Sequence, residues 1–259
     1  MYAYSLGMQP SGASSVGSVP SRKATAYRHI QSKILSGELA GGHVISELSL
    51  AKDMGISRTP IREAIGQLIV EGFLERVGGR GTVVKRPTRA GVVELYELRE
   101  ALEVYAVGKV ARTALPESDS ARLNKLCEDV LALVKELESS GERRLSAEQM
   151  ERFIATDLHY HLLLLRAAGN HRLLKVVRDT RLLIRIFAMR REGHNRAELE
   201  QVYRYHRGIL EAVRSGDALT AGELCGEHIR ASRQERLDDY DRWERISQIR
   251  LDESLIPNY

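Results

Sequence analysis

Residues 47–64 read ELSLAKDMGISRTPIREA and decide the fold of the first third of this 259-residue chain. Ser46 can cap a short helix that Gly55 ends, because a serine oxygen accepts helix N-terminal amides and glycine adopts left-handed backbone. Ser57 can cap the next helix, which has Pro60 in its first turn, where a missing amide proton costs little. Two helices joined by so tight a connection predict a helix-turn-helix.

The second of these helices has a charged face that suits DNA. Arg58 and Arg62 are four residues apart, so both project from one side of the helix, with Thr59 beside them. An arginine fork can contact guanine edges or phosphate, and a threonine hydroxyl can contact phosphate or a base. The alternative is that both arginines are solvated surface charges, and the spacing alone does not decide between the two.

A β-hairpin wing is predicted next, because short alternating segments at 73–77 and 82–85 flank the glycine-rich stretch 78–81. Arg80 at its tip could enter the minor groove of DNA, although an ordinary turn is the alternative. The stretch lacks the Gly-Lys-Ser/Thr ending of a phosphate-binding Walker loop. Residues 1–86 carry 11 Lys and Arg against 6 Asp and Glu, so the basic excess of the chain lies where a polyanion would dock.

Composition narrows the class of protein. Cys127 and Cys225 are too few and too isolated for a disulfide framework or a structural zinc site, which favours the reducing cytoplasm. No apolar run approaches the roughly 20 residues of a membrane helix, so no membrane partner is expected. Residues 1–21 are rich in Ser and Gly and lack the continuous apolar segment of a secretory signal, so they are predicted to be a disordered tail.

After residue 86 the strand signals vanish, and amphipathic helical patterns follow, separated by breaks rich in glycine, proline and serine. The overall prediction is a mainly α protein, with a winged helix-turn-helix at 22–86, an antiparallel bundle of about six helices at 87–240 and a tail at 241–259. The predicted helices of the bundle lie near residues 89–113, 117–139, 146–168, 171–191, 196–215 and 217–240.

Four ionisable residues lie on the apolar faces of three of these helices: Asp157, His161, His206 and His228. Burial of such groups is costly unless they are paired or bind a metal. Asp157 and His161 are one helical turn apart and can share an ion, and these donors suit zinc, nickel, iron or manganese. A purely structural polar network is one alternative. A metal-dependent hydrolase is another, but the chain has no HExxH motif, and no further inward carboxylate stands out as a general base.

Several of these segments resemble known families. Residues 47–64 resemble the DNA-binding signature of the GntR regulator superfamily, although some FadR-like members have a DNA-contacting Arg where this chain has Leu48. The segments DLHYH (157–161), YHRGIL (205–210) and EHI (227–229) resemble the FCD effector domain of the FadR subfamily, and the helix count is closer to its VanR-like branch.

This resemblance implies a DNA-binding transcription regulator rather than an enzyme. Such a protein acts as a homodimer on a palindromic double-stranded operator and is commonly a repressor that its ligand releases. The wing around Gly81 would reach the minor groove. The DNA-binding candidates are Ser57, Arg58, Thr59, Arg62, Arg80 and Gly81.

The resemblance also implies a metal-linked effector site. Asp157, His161, His206 and His228 would bind one divalent metal ion, with zinc as the first choice. Family members commonly hold a small carboxylate against this metal, and an Arg from the first effector helix completes the site. The segment ELREALE (97–103) matches that helix, which makes Arg99 the candidate, with a salt bridge as the alternative role.

Overall fold

The computed structural model describes residues 20–186 and 193–253, and within these ranges the chain is mainly helical. Residues 1–19 of the predicted N-terminal tail lie outside the described residues. The first domain is the predicted winged helix-turn-helix. Its elements are α1 (Arg22–Leu35), α2 (Glu47–Met54), α3 (Arg58–Val70), β1 (Leu74–Val77) and β2 (Gly81–Val84).

The ends of α2 and α3 follow from local sequence. The Ser46 hydroxyl accepts a hydrogen bond from Ser49 N at 3.2 Å, and α2 ends at Gly55 in left-handed backbone, with φ +63°. Ser57 is the residue before α3, but its side chain makes no capping hydrogen bond, which differs from the prediction. The exposed Ser57 hydroxyl is therefore not committed to the helix end.

The wing is a two-stranded antiparallel sheet in which Leu74 faces Val84 and Val77 faces Gly81. Gly81 has a φ of +80°, a backbone conformation that residues with a Cβ rarely adopt. The segment before α2 also pairs with the wing, through a single bridge between Val44 and Val83. This bridge was not predicted from the sequence, because one paired residue leaves no alternating pattern.

Six helices follow the wing among the described residues, as predicted. The predicted helix near 217–240 extends beyond residue 240, to Glu253, with Tyr240 buried along it. Arg89 Nε, at the start of the bundle, donates to Asp241 Oδ1 at 3.1 Å and so fixes part of this extension. The helices are α4 (Arg89–Thr113), α5 (Glu117–Ser140), α6 (Ala147–Ala167), α7 (His171–Ile186), α8 (Arg196–Ser215) and α9 (Ala218–Glu253).

The bundle packs α4 along α9, α5 against α6 and α8, and α7 against α4 and α6. The first domain has its own core, built from the inner faces of α1, α2, α3 and the wing. Leu182 and Leu183 of α7 pack against that core, so α7 touches both domains. Among the described residues, none of the helices contains an apolar stretch of the length that a membrane span requires.

Candidate metal centre and nucleic-acid interface

The four inward ionisable residues converge at one point between α6, α8 and α9. His161 Nε2 lies 3.1 Å from His228 Nε2 and 3.5 Å from Asp157 Oδ1, and His206 Nε2 also lies 3.5 Å from that oxygen. All four donor atoms lie within 4.8 Å of one another. Donors around a tetrahedral zinc ion at about 2.1 Å stand roughly 3.4 Å apart, so the arrangement matches the size of a metal site.

Two further side chains orient these donors. Arg181 Nη1 donates to Asp157 Oδ2 at 3.2 Å, which leaves Oδ1 directed at the imidazoles. His161 Nδ1 lies 2.9 Å from Glu103 Oε2. A carboxylate in this position fixes the proton on Nδ1 and leaves the Nε2 lone pair for a metal, as is usual for metal-binding histidines.

His206 gives the sharpest test of whether the residues fit a metal. Its ring is fully buried, and neither Nδ1 nor Nε2 has a hydrogen-bond partner among the described residues. Tyr160 stacks on the ring with 3.9 Å between centroids, and its hydroxyl donates to the His206 carbonyl oxygen at 2.7 Å. A buried imidazole whose nitrogens make no hydrogen bond is costly, and a cation at Nε2 would remove part of that cost.

The charges of the cluster also suit a metal. Burial lowers the pKa of His206 to about 4, and burial together with His206 and His161 holds the pKa of His228 well below its ordinary value. Burial alone would raise the pKa of Asp157, but His161, His206 and Arg181 outweigh it and hold that pKa well below its usual range. At neutral pH His206 and His228 are thus neutral imidazoles and Asp157 is an ionised carboxylate, the forms that bind metal ions.

A buried ion-pair network surrounds Glu103, a residue that the sequence analysis did not single out. Arg181 Nε and Nη2 donate to its two carboxylate oxygens at 3.1 and 2.8 Å, and Arg99 Nε donates at 2.8 Å. Glu103 is therefore a further inward carboxylate beside the four candidate ligands. Because Glu103 is held by both arginines and by His161, its geometry suits an orienting role better than that of a general base for hydrolysis.

Arg99, the predicted effector-binding residue, lies at the wall of a cavity next to the cluster. Its guanidinium is buried, pairs with Glu103 within the same helix and lies 4.9 Å from the centroid of the Tyr96 ring. The cavity has a volume of about 120 Å³. Its polar lining includes Arg99, Asp157, Arg181, His228, Ser232 and Arg236.

Two other histidines differ in their surroundings. His159 is exposed on α6, as its position off the apolar face predicts. His194 is buried, although its sequence pattern gave no reason to expect this, and its Nδ1 lies 3.1 Å from Glu198 Oε2 in the cap of α8. It also lines the cavity, edge-on to Phe153. The loop position before α8 hid this placement, because periodicity applies only within helices.

The predicted DNA-binding side chains share an exposed surface of the first domain. Arg58 and Arg62 project from one face of α3, and the Nη2 atom of each lies 3.0 Å from Glu47 Oε2. Thr59 and Ser57 are exposed beside them. Glu47 aligns the two arginines, and because exposed ion pairs are weak, DNA phosphates can replace it.

The wing and α2 complete this surface. Arg80 and Gly81 are exposed, and Arg80 N donates to Val77 O at 3.0 Å in the turn. Leu48, where some related regulators have an arginine, is 68% exposed. The structure thus brings the α3 candidates together on one face and leaves the wing tip accessible.

Comparison with known proteins gives two family matches. Residues 22–84 match the bacterial regulatory proteins of the gntR family, and residues 94–231 match the FCD domain. An HTH-type transcriptional regulator from an unstable DNA locus of Streptomyces ambofaciens is 31% identical over 207 residues, which are 79% of this chain and 80% of that protein. YdhC, an HTH-type transcriptional regulator of Bacillus subtilis, is 30% identical over 206 residues, 79% and 84% of the two chains.

More distant similarity gives the same class of protein. The gluconate operon transcriptional repressor of Bacillus licheniformis is 24% identical over 206 residues, 76% of this chain and 79% of that one. Among solved structures, E. coli McbR/YncC aligns with a TM-score of 0.62 at 20% identity, covering 86% of this chain and 100% of the other. At this identity the structural match supports the fold alone.

Proposed function

Because the chain belongs to the GntR family of bacterial regulatory proteins and carries an FCD domain, we propose that it is a metal-dependent, acid-responsive regulator of transcription. The observation that carries this proposal is the convergence of four donor atoms within 4.8 Å beside a small cavity. The protein would act in the cytoplasm on double-stranded DNA. We expect it to repress transcription, as the name of the related gluconate operon transcriptional repressor indicates for that protein.

Asp157, His161, His206 and His228 would hold the metal, with zinc preferred and nickel, iron or manganese as the other choices. When bound, the ion would supply a positive centre that attracts a carboxylate. The protein residues do the remaining work. Arg181 and Glu103 orient the donors, and Arg99 stands at the cavity wall, where a carboxylate could also meet its guanidinium.

A small organic acid fits this cavity better than a larger effector. The volume of about 120 Å³ lies well below the roughly 300–1,000 Å³ of drug-sized sites. Two arginines and the metal would favour an anion. The proposed ligand is therefore a compact carboxylate, held between the metal and Arg99.

Helix α7 offers a route from this site to the DNA-binding domain. Arg181 holds both Asp157 and Glu103, while the next two residues, Leu182 and Leu183, pack against the core of the first domain. Leu183 Cδ1 also lies close to Gly72, at the turn after α3, where it would be 3.8 Å from a Cβ added to that glycine. A ligand that shifts Arg181 would thereby shift the helix that packs against the core of the first domain, provided that the ligand prefers one arrangement.

We propose that two copies bind a palindromic operator, each placing α3 in the major groove. The dimer would present Arg58 and Arg62 twice, with the wings at the flanking minor grooves. The change in α7 would then alter the spacing or tilt of the two α3 helices. Half-site spacing in such operators follows the geometry of the dimer, so small changes in tilt weaken binding to both half-sites.

The proposal is tested by thermal unfolding of the full chain with a panel of small carboxylic acids. The zinc-loaded protein should be stabilised by at least one acid, because a ligand that binds only the folded state raises its stability. The same acid should have no effect after the metal has been removed with a chelator. Stabilisation that is equal with and without metal would contradict a metal-linked acid site.

A further inference from the structure

We propose that the effector is a dicarboxylate, whose second carboxylate binds Arg236 at the end of the cavity away from the metal. This inference rests on the proposed function, since it concerns the same cavity. The first carboxylate would meet the metal and Arg99. The second would be recognised by a residue of α9 that lies beyond the segment matching the FCD domain, which ends at residue 231.

Arg236 is a mostly buried cation that makes one long ion pair and leaves two buried nitrogens without a hydrogen bond to any described residue. Its side chain is only 12% exposed, yet Nε and Nη1 are fully buried and have no hydrogen-bond partner among the described residues. The nearest carboxylate oxygen, Asp239 Oδ2, is 3.7 Å from Nη1, which is too far for a hydrogen bond. Asp239 binds Arg242 much more closely. A buried guanidinium in this condition is costly and can accept an anion at little further desolvation cost.

Arg236 lies a short distance from the metal cluster. His228 and Arg236 are eight residues apart on α9, about 12 Å along the helix axis, and both line the same cavity. Each side chain spans part of that distance. The remaining distance between the ends of the two side chains accommodates a short, linear molecule with an anionic group at each end. Ser232 lies between His228 and Arg236 on α9 and also lines the cavity.

The other charges around the cavity favour the same assignment. Arg99 and Arg181 are already paired with Glu103, so they satisfy that carboxylate before any ligand enters. Asp157 would be neutralised by the metal. Glu235 also lines the cavity and makes contacts of its own. Arg236 is thus the lining cation whose hydrogen-bonding capacity is least used, and an arginine fork matches a carboxylate bidentately.

The experiment compares succinate with butyrate, a diacid and a monoacid of equal chain length, by calorimetric titration of the zinc-loaded full chain. Succinate should bind about tenfold or more tightly than butyrate, the range expected for a charge-assisted hydrogen-bonded pair. In Arg236→Gln the advantage of succinate should vanish while butyrate affinity and zinc content stay unchanged. Arg236→Lys should recover only part of the advantage, because an ammonium lacks the planar fork.

Arg233→Gln is the matched control, since Arg233 lies on the same helix, outside the cavity lining, and is 3.9 Å from Glu97. It should keep the preference for succinate. Equal affinities for succinate and butyrate in the native protein would overturn the dicarboxylate assignment and leave the metal-linked acid site standing. Binding of neither acid, nor of the longer pair glutarate and valerate, would overturn both. An Arg236→Gln protein that keeps the full preference would overturn the role of this residue.

Discussion

The double substitution Arg58→Ala/Arg62→Ala is expected to raise the operator Kd by about a hundredfold or more. Each base or phosphate contact from a recognition-helix arginine is typically worth about tenfold to hundredfold in affinity. Both side chains are exposed on one face of α3, where both pair with Glu47. The operator is first selected from random duplex DNA with the native protein, and binding is then measured by fluorescence anisotropy at fixed salt.

The control for this result is Arg122→Ala, which removes an equally charged side chain from α5 of the second domain. Arg122 is 71% exposed and forms only a loose pair with Asp119, at 3.9 Å. Its loss should leave operator affinity within about twofold. If the double variant binds the operator as tightly as this control does, α3 is not the helix that contacts the DNA.

The double substitution Asp157→Ala/His206→Ala is expected to abolish stoichiometric metal binding. It removes two of four donors from two different helices, so the remaining His161 and His228 cannot complete a tetrahedral site. Native protein purified without chelator should contain about one divalent ion per chain by elemental analysis. Removal of that ion should lower the Tm of the protein by about 10 °C. This is the stabilisation that a bound ligand gives when it is present at about 1,000 times its Kd, and it is lost with the ion.

His159→Ala is the matched control for the metal result, because His159 is an exposed histidine on the same helix as Asp157 and His161. It should retain the full metal content. Helical content by circular dichroism confirms that each variant is folded, and Asp157→Asn, which keeps the side-chain shape, provides a milder second variant. A native protein without bound metal that also fails to take up added zinc would reduce the cluster to a structural network.

The sequence predicted the elements of both domains because their periodicity and end signals are local. Residues 47–64 contain the caps, the turn and the charged face of the helix-turn-helix within one short stretch. Asp157 and His161 are one turn apart, and His206 and His228 each stand out on an apolar stripe. Their convergence on one point was a matter of tertiary packing, and here the family resemblance supplied what spacing could not.

Glu103 and Arg181 also lie on apolar stripes of their helices and were detectable from the sequence in the same way. Glu103 shares its face of α4 with the buried Tyr96 and Ala106, and Arg181 follows the buried Val177 and Thr180 on α7. They were missed because a carboxylate or guanidinium within a charged helix looks like a surface residue until its partner is known. The pair that joins them links two helices, since Glu103 and Arg181 are 78 positions apart in the chain.

The contact of α7 with the first domain was also beyond sequence analysis. Leu182 and Leu183 fit the apolar pattern of an ordinary bundle helix, and nothing in that pattern says which core they join. Only the packing of α7 against the first domain shows that these two leucines contact the core of the DNA-binding domain.

The most direct test of the central claim is the operator affinity of zinc-loaded protein, measured with and without the acid that stabilises it and repeated after chelation. The proposed mechanism predicts that the acid changes the operator Kd by about 5- to 150-fold, the usual range of allosteric coupling, and does so only when the metal is present. An operator Kd that stays the same in all four conditions, while calorimetry shows the acid to be bound, would contradict it.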